Sequence, residues 1–110
     1  MKLMTKKLQK RFAQVGCQEN IKDPIVVARF FHPFGAGTWY ATEYDSKRRV
    51  FFGYVSIFGD HNDEWGYFSR NEIEAYTGPL GIGIERDLYF REKPASEAVF
   101  EEGMAHAGEL

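Results

Sequence analysis

The chain has 110 residues, 44% of them hydrophobic and 27% charged, and this fits one globular domain of average composition. Its net charge of −2 gives no overall basic character for binding nucleic acid, and no apolar run is long enough for a membrane span. A single cysteine, Cys17, excludes an intrachain disulfide and suits a reducing compartment, so we expect a cytoplasmic protein. The unusual figure is 16% aromatic residues, enough to give so short a chain a compact core.

The first predicted element is an amphipathic helix over residues 6–15. Leu8, Phe12 and Val15 recur at helical spacing, and lysines and arginine occupy the other face. Thr5 can cap its start, and Gly16 can end it. A β-branched and aromatic run over residues 25–31 then predicts a strand, followed by a glycine- and proline-containing loop.

A hairpin is the next predicted element, with strands over residues 38–44 and 50–58. In its first strand, alternation places Trp39, Ala41 and Glu43 on one face and Tyr40, Thr42 and Tyr44 on the other. The second strand is apolar on both faces, which is typical of a central or covered strand.

The rest of the chain predicts shorter elements. A turn at residues 59–63 leads to a strand over residues 64–68, and the Ser69-x-x-Glu72 capping box predicts a helix near residues 70–76. A last strand is expected over residues 87–90. The sequence thus predicts one α+β domain over residues 1–93, with an antiparallel sheet of about five strands. Residues 94–110 are acidic, and we expect a frayed helix or disorder there.

The residue patterns only weakly support an enzyme or a metal site. Asp60, His61, Asp63 and Glu64 offer metal ligands, but their spacing fits neither an EF-hand nor a zinc site and favours a solvated turn. Glu43 is the best candidate for a hydrolase carboxylate, and no nucleophile with its base is evident. The glycines of residues 78–83 lack the lysine and helix of a phosphate loop. We therefore expect no enzyme, metal or cofactor.

Two binding surfaces remain as hypotheses. Single-stranded nucleic acid could stack on sheet tyrosines beside a basic hairpin tip, although no RRM-like motif is present. Alternatively, an acidic surface could occupy the basic groove of another protein. The nucleic-acid set is Tyr40, Tyr44, Tyr54, Lys47, Arg48 and Arg49, and the acidic protein-binding set is Asp60, Asp63, Glu64, Glu72 and Glu74.

Four segments carry a family resemblance: WYATEYD (39–45), FFGYV (51–55), EWGYF (64–68) and GPLGIGIERDLYF (78–90). With the openings of residues 1–5 and 23–27, they resemble a family of short bacterial proteins of unknown function, typically encoded on plasmids, phages and other mobile elements. The resemblance spans nearly all of residues 1–93 and leaves the tail outside. The resemblance implies no catalytic residue, but it favours an accessory protein that takes part in DNA processing or inhibits host defence.

The expected function is therefore non-enzymatic binding to a protein partner, with a host defence nuclease of the restriction or CRISPR type as the expected class. Single-stranded nucleic-acid binding is the alternative, and a small hydrolase is the third reading. An exposed apolar sheet face would also make a homodimer reasonable.

Overall fold

The computed structural model describes the backbone of residues 2–57 and 63–101, and the side chains as far as Val99. Helix α1 spans Lys6–Val15, as predicted. It begins at Thr5, whose hydroxyl accepts a hydrogen bond from the Leu8 N–H over 3.1 Å. It ends at Gly16, which has a φ of 67° and donates its own N–H to the Phe12 carbonyl.

A five-stranded antiparallel sheet forms the centre of the described fold, and its strands lie side by side in the order Glu64–Ser69, Val50–Ser56, Thr38–Asp45, Ala28–Phe31 and Glu85–Arg86. The predicted strand over residues 25–31 is divided at Val27, since its first two residues pair with the C-terminal segment and the others join the main sheet. Phe58, at the end of the predicted 50–58 strand, lies outside the described residues. The strands are β1 Ile25–Val26, β2 Ala28–Phe31, β3 Thr38–Asp45, β4 Val50–Ser56, β5 Glu64–Ser69, β6 Glu85–Arg86 and β7 Lys93–Pro94.

The strand predicted over residues 87–90 is wrong, because the pairing ends at Arg86. The Asp87 carboxylate accepts the Tyr89 N–H over 2.9 Å and folds the backbone into a turn. A short helix, α2, spans Arg70–Ala75 close to its predicted position. The Ser69 hydroxyl caps it by accepting the Glu72 N–H over 3.2 Å.

A β-bulge at Thr42 changes the face of β3 in mid-strand. Tyr40 lies opposite Tyr54 and Ala41 opposite Gly53, but Glu43 rather than Thr42 lies opposite Phe52. An inserted residue reverses the alternation beyond it. The predicted shared face of Tyr40, Thr42 and Tyr44 is therefore wrong, and so is that of Trp39 and Glu43.

Each face of the sheet carries one buried cluster. On the first face, Phe30 and Phe51 pack under Phe12 of α1, with Tyr44 and Trp39 at the margin. On the second face, Val26 and Tyr40 pack with Ala95, Ala98 and Val99. Both clusters bury apolar area, which is the main stabilising contribution in a domain of this size.

The C-terminal segment covers part of the second face, although residues 94–110 were expected to be frayed or disordered. Lys93–Pro94 pairs with Ile25–Val26, and a π-helical turn follows over Ser96–Glu101. Asp23 anchors this turn because its carboxylate accepts both the Ser96 N–H (3.0 Å) and the Ser96 hydroxyl (2.6 Å). Residues 102–110 of the predicted tail lie outside the described residues.

Candidate functional site

The second sheet face carries aromatic side chains over β4 and β5, beyond the part that the C-terminal segment covers. We call Phe52, Tyr54, Trp65 and Tyr67 the aromatic face. The Tyr67 side chain is 72% exposed and Trp65 is 40% exposed, which is unusual for rings of this size in a sheet. Strand alternation explains their placement, since Gly66 and Phe68 point to the opposite side.

The rings of the aromatic face hold one another in place. The Phe52 and Tyr67 centroids are 4.9 Å apart in an edge-to-face arrangement, and Phe52 stacks with Trp65 at 6.1 Å. Tyr54 meets Trp65 edge to face at 5.6 Å. Because each ring stands on a paired strand and touches its neighbours, the surface is preorganised for contact.

A cleft of about 370 Å³ adjoins the aromatic face, between the β4–β5 rings and residues 18–24. Phe52, Trp65 and Tyr67 form one wall, and Ile21 and Pro24 contribute apolar atoms to the other. Glu19, Lys22 and Glu43 also line it. The cleft therefore combines aromatic surface with two carboxylates and one ammonium group.

Gln18 fixes the backbone behind this cleft. Its buried side-chain amide donates to the Thr42 carbonyl over 2.8 Å and to the Ile25 carbonyl over 2.9 Å, while its oxygen accepts the Ile25 N–H over 2.7 Å. The Thr42 hydroxyl in turn donates to the Phe52 carbonyl over 3.1 Å. These bonds satisfy the backbone groups that the bulge removes from the ladder, and they place Glu43 in the cleft.

The charges around the aromatic face favour a cationic ligand. Burial, and secondly the Asp63 carboxylate, raise the pKa of the Tyr54 phenol, so it stays neutral at physiological pH. Glu19 and Glu43 outnumber Lys22 in the cleft. Carboxylates beside exposed aromatic rings provide ion pairing and cation–π contact for an arginine or lysine side chain.

The acidic residues predicted to form one contact surface are not brought together. Asp63 and Glu64 lie at the start of β5, whereas Glu72 and Glu74 lie on α2 beyond its other end, about 20 Å away along the strand. Glu74 also contacts Arg49 at 3.4 Å and Arg70 at 3.1 Å, and Asp63 accepts the Ser56 hydroxyl over 2.9 Å. Asp60 lies outside the described residues.

The predicted nucleic-acid platform is divided between the two faces of the sheet. Tyr44 packs at 4.8 Å from Phe51 beneath α1, and its hydroxyl accepts a hydrogen bond from Arg70 over 3.0 Å. Tyr40 lies on the opposite face, 6.4 Å from Tyr54, but it is only 6% exposed. The tyrosines therefore offer no common stacking surface.

The basic hairpin tip of that platform is partly neutralised. The Arg48 side chain pairs with the Asp45 carboxylate at 3.0 Å, and Arg49 donates to Asn71 over 2.8 Å besides contacting Glu74. Lys47 is exposed beside them. Arginines already held by side chains of the same protein are weaker contacts for a phosphate backbone.

The described part of the chain adds no candidate metal site. Within residues 2–57 and 63–101, no group of three or more His, Cys, Asp and Glu side chains could hold a metal ion. Asp60 and His61, part of the candidate metal cluster, lie outside those residues. The His32 Nδ1 accepts the Phe34 N–H over 3.1 Å and its Nε2 contacts the Tyr76 hydroxyl at 2.8 Å, which holds the ring in its loop.

The aromatic face was not predicted from the sequence. Trp65 and Tyr67 were not among its predicted site residues, although their alternation with Gly66 could have placed both on one face. Gln18 lay in a polar connection, and no local signal marks it. Glu43 had been expected beside Trp39, but it borders the cleft across the sheet from that ring.

The family model described as a protein of unknown function (DUF2958) matches residues 2–109. The chain belongs to this family. The match extends almost to the C-terminus, so the DUF2958 pattern includes the segment that the sequence resemblance had left outside. No match to the chain was found among the curated proteins or among the solved structures. In the described part of this DUF2958 protein, no helix has the length and apolar character needed to cross a membrane.

Proposed function

We propose that this protein is a non-enzymatic binding protein that contacts a protein partner through the aromatic face and its cleft. The observation that carries the proposal is the exposure of Tyr67 and Trp65 on paired strands beside a carboxylate-lined cleft. Tyrosine and tryptophan dominate the binding energy of protein interfaces, because they bury much area at little entropic cost.

The expected partner chemistry is a segment with an arginine or lysine side chain. Such a side chain can lie against the rings of Trp65 and Tyr67 while its charge pairs with Glu43. A nucleic-acid strand is disfavoured on this surface, since its phosphates would approach Glu19 and Glu43. The partner class is therefore a protein with an exposed basic segment.

The family resemblance supplies the proposed biological setting. An accessory protein of a plasmid or phage benefits from blocking host enzymes that cut its DNA, and such enzymes carry basic surfaces for their substrate. A DUF2958 protein that covers such a surface would act as an inhibitor of a host defence nuclease. In this proposal the contact comes from aromatic rings and Glu43 rather than from the acidic residues of β5 and α2.

A pull-down from nuclease-treated host lysate tests the proposal. The baits are the wild-type protein, Tyr67→Ala, Glu43→Lys and a control, Tyr89→Ala, which removes a 93% exposed ring outside the aromatic face. We expect the wild type and Tyr89→Ala to retain the same protein, and Tyr67→Ala and Glu43→Lys to lose it. Equal retention by all four baits, or loss of the partner on nuclease treatment, contradicts the proposal.

A further inference from the structure

A second surface lies on the other side of the molecule, between α1 and β6. A groove of about 470 Å³ runs along α1 there, and its cations are Lys7, Lys10, Arg11 and Arg86. We call these four residues the basic groove. It lies beside α1 on the first sheet face and beside β6, which is the edge strand at the other end of the sheet from β5. The basic groove is therefore separate from the aromatic face.

Helical periodicity produces this row of charges. Lys7, Lys10 and Arg11 recur at the spacing that aligns side chains along one stripe, and Gln14 continues it. Phe12 is buried in the core, and Leu8 and Val15 pack against it from neighbouring positions. The same amphipathic pattern that docks α1 on the sheet therefore lines up its cations over a length of about 6 Å.

Arg86 and Glu92 contribute to the opposite wall of the groove. Arg86 of β6 donates to the Leu3 carbonyl over 3.3 Å, which keeps its guanidinium at the groove. Glu92 pairs with Arg11 through contacts of 2.8, 3.0 and 2.8 Å in a bidentate arrangement. Glu92 is the one carboxylate among the described groove residues, and Lys7 and Lys10 are exposed beside it.

We infer that the basic groove binds the phosphate backbone of single-stranded nucleic acid. Several cations in a row fit a ligand with successive phosphates better than a single anion, since each lysine or arginine can take one phosphate. A single strand is the expected ligand because its successive phosphates can follow the row of cations on α1. The chain would then hold a protein partner and a nucleic-acid strand on different surfaces.

Glu92 sets the strength of this site. Its bidentate pair with Arg11 competes with a phosphate for the same guanidinium fork, because both anions use that geometry. A bound strand must displace Glu92 or leave Arg11 unused. Removing the carboxylate charge should therefore strengthen binding.

Fluorescence anisotropy with a labelled oligothymidylate of about 12 nucleotides tests the inference. With two phosphates at Lys7 and Lys10 and up to two more at the arginines, the logarithm of the binding constant should fall with the logarithm of salt concentration at a slope of about −1.4 to −3. Lys7→Gln combined with Lys10→Gln should reduce that slope by about 1.4. Glu92→Gln should bind more tightly than the wild type.

The matched control is Lys22→Gln combined with Lys47→Gln, which removes the same charge from other surfaces. Circular dichroism checks that all variants fold alike. An equal loss of slope in the control, weaker binding by Glu92→Gln, or no binding at low salt overturns the inference. Equal competition by a polyglutamate peptide also overturns it, because it would show a site for any polyanion. Failure here leaves the proposed protein contact untouched, since the pull-down variants lie outside the groove.

Discussion

The side-chain amide of Gln18 donates to the Thr42 carbonyl over 2.8 Å, and this one bond links a connecting segment to the bulge in β3. The bulge decides which residues share a face. Without it, Glu43 would lie beneath α1 and Tyr44 would join the aromatic face. Gln18 therefore acts on the candidate site through the backbone, although it adds no charge to it.

Gln18→Glu should destabilise the protein although it hardly changes the shape of the side chain. A carboxylate cannot donate to the carbonyls of Thr42 and Ile25, so one buried and one part-buried acceptor lose this donor, at a cost of about 2–4 kcal/mol. Urea unfolding measures the change. The control is Gln9→Glu on the exposed side of α1, which should stay within about 0.5 kcal/mol of the wild type. Equal losses in the two variants would contradict the assigned role of Gln18.

Gly53→Ala should be among the most damaging small substitutions in the sheet. A Cβ at residue 53 would fall 1.8 Å from the Tyr40 carbonyl oxygen, because the bulge brings the β3 backbone over this position. Backbone atoms on paired strands cannot move aside cheaply, so we expect a loss of more than about 3 kcal/mol or failure to fold.

Gly66→Ala is the matched control for that substitution. Gly66 lies directly opposite Gly53 in the sheet, and a Cβ there would meet nothing within 4 Å. Alanine at position 66 should be neutral or stabilising by up to about 1 kcal/mol, because it restricts the unfolded chain. If both alanine variants unfold at the same urea concentration, the close approach at Gly53 is wrong.

The Asp23–Ser96 contact should give the C-terminal segment a measurable acid sensitivity. Hydrogen bonds from the Ser96 hydroxyl and N–H lower the pKa of the Asp23 carboxyl below its ordinary value. A carboxyl whose pKa is lowered by folding contributes stability above its unfolded pKa, and this is lost as the pH falls through its folded pKa. Stability should therefore decline on the acid side of the ordinary aspartate range.

Ser96→Ala tests this linkage by removing the hydroxyl donor. An NMR titration should place the pKa of Asp23 closer to its ordinary value, and the fall in thermal midpoint with acid should become shallower. Ser46→Ala, in the exposed β3–β4 turn, should change neither quantity. An Asp23 pKa that is the same in wild type and Ser96→Ala would show that the contact is absent in solution.

Local signals in the sequence were enough for much of this fold. Thr5 and Gly16 mark the ends of α1, and the Ser69 capping box marks the start of α2, because each signal acts within one helical turn. The hairpin of β3 and β4 follows from two apolar runs around a polar turn. The α+β class follows from the same elements.

The remaining features depend on contacts between distant residues. The Thr42 bulge is stabilised by Gln18, 24 positions earlier, and by the absence of a side chain at Gly53. The C-terminal segment has a weak apolar pattern, and Ala98 is buried because it packs with Val26 and Tyr40. One inserted residue exchanged the faces of Glu43 and Tyr44 relative to the predicted alternation, so alternation alone could not identify the exposed surface.

Site-specific photo-crosslinking most directly tests whether the aromatic face is the binding surface. A photoreactive phenylalanine replaces Tyr67 in one variant and Tyr89 in another, so that two exposed positions on different surfaces are compared in the same cells. We predict a crosslinked protein from position 67 that survives nuclease treatment and is missing from position 89. The same product from both positions, or one from position 89 alone, would contradict the account.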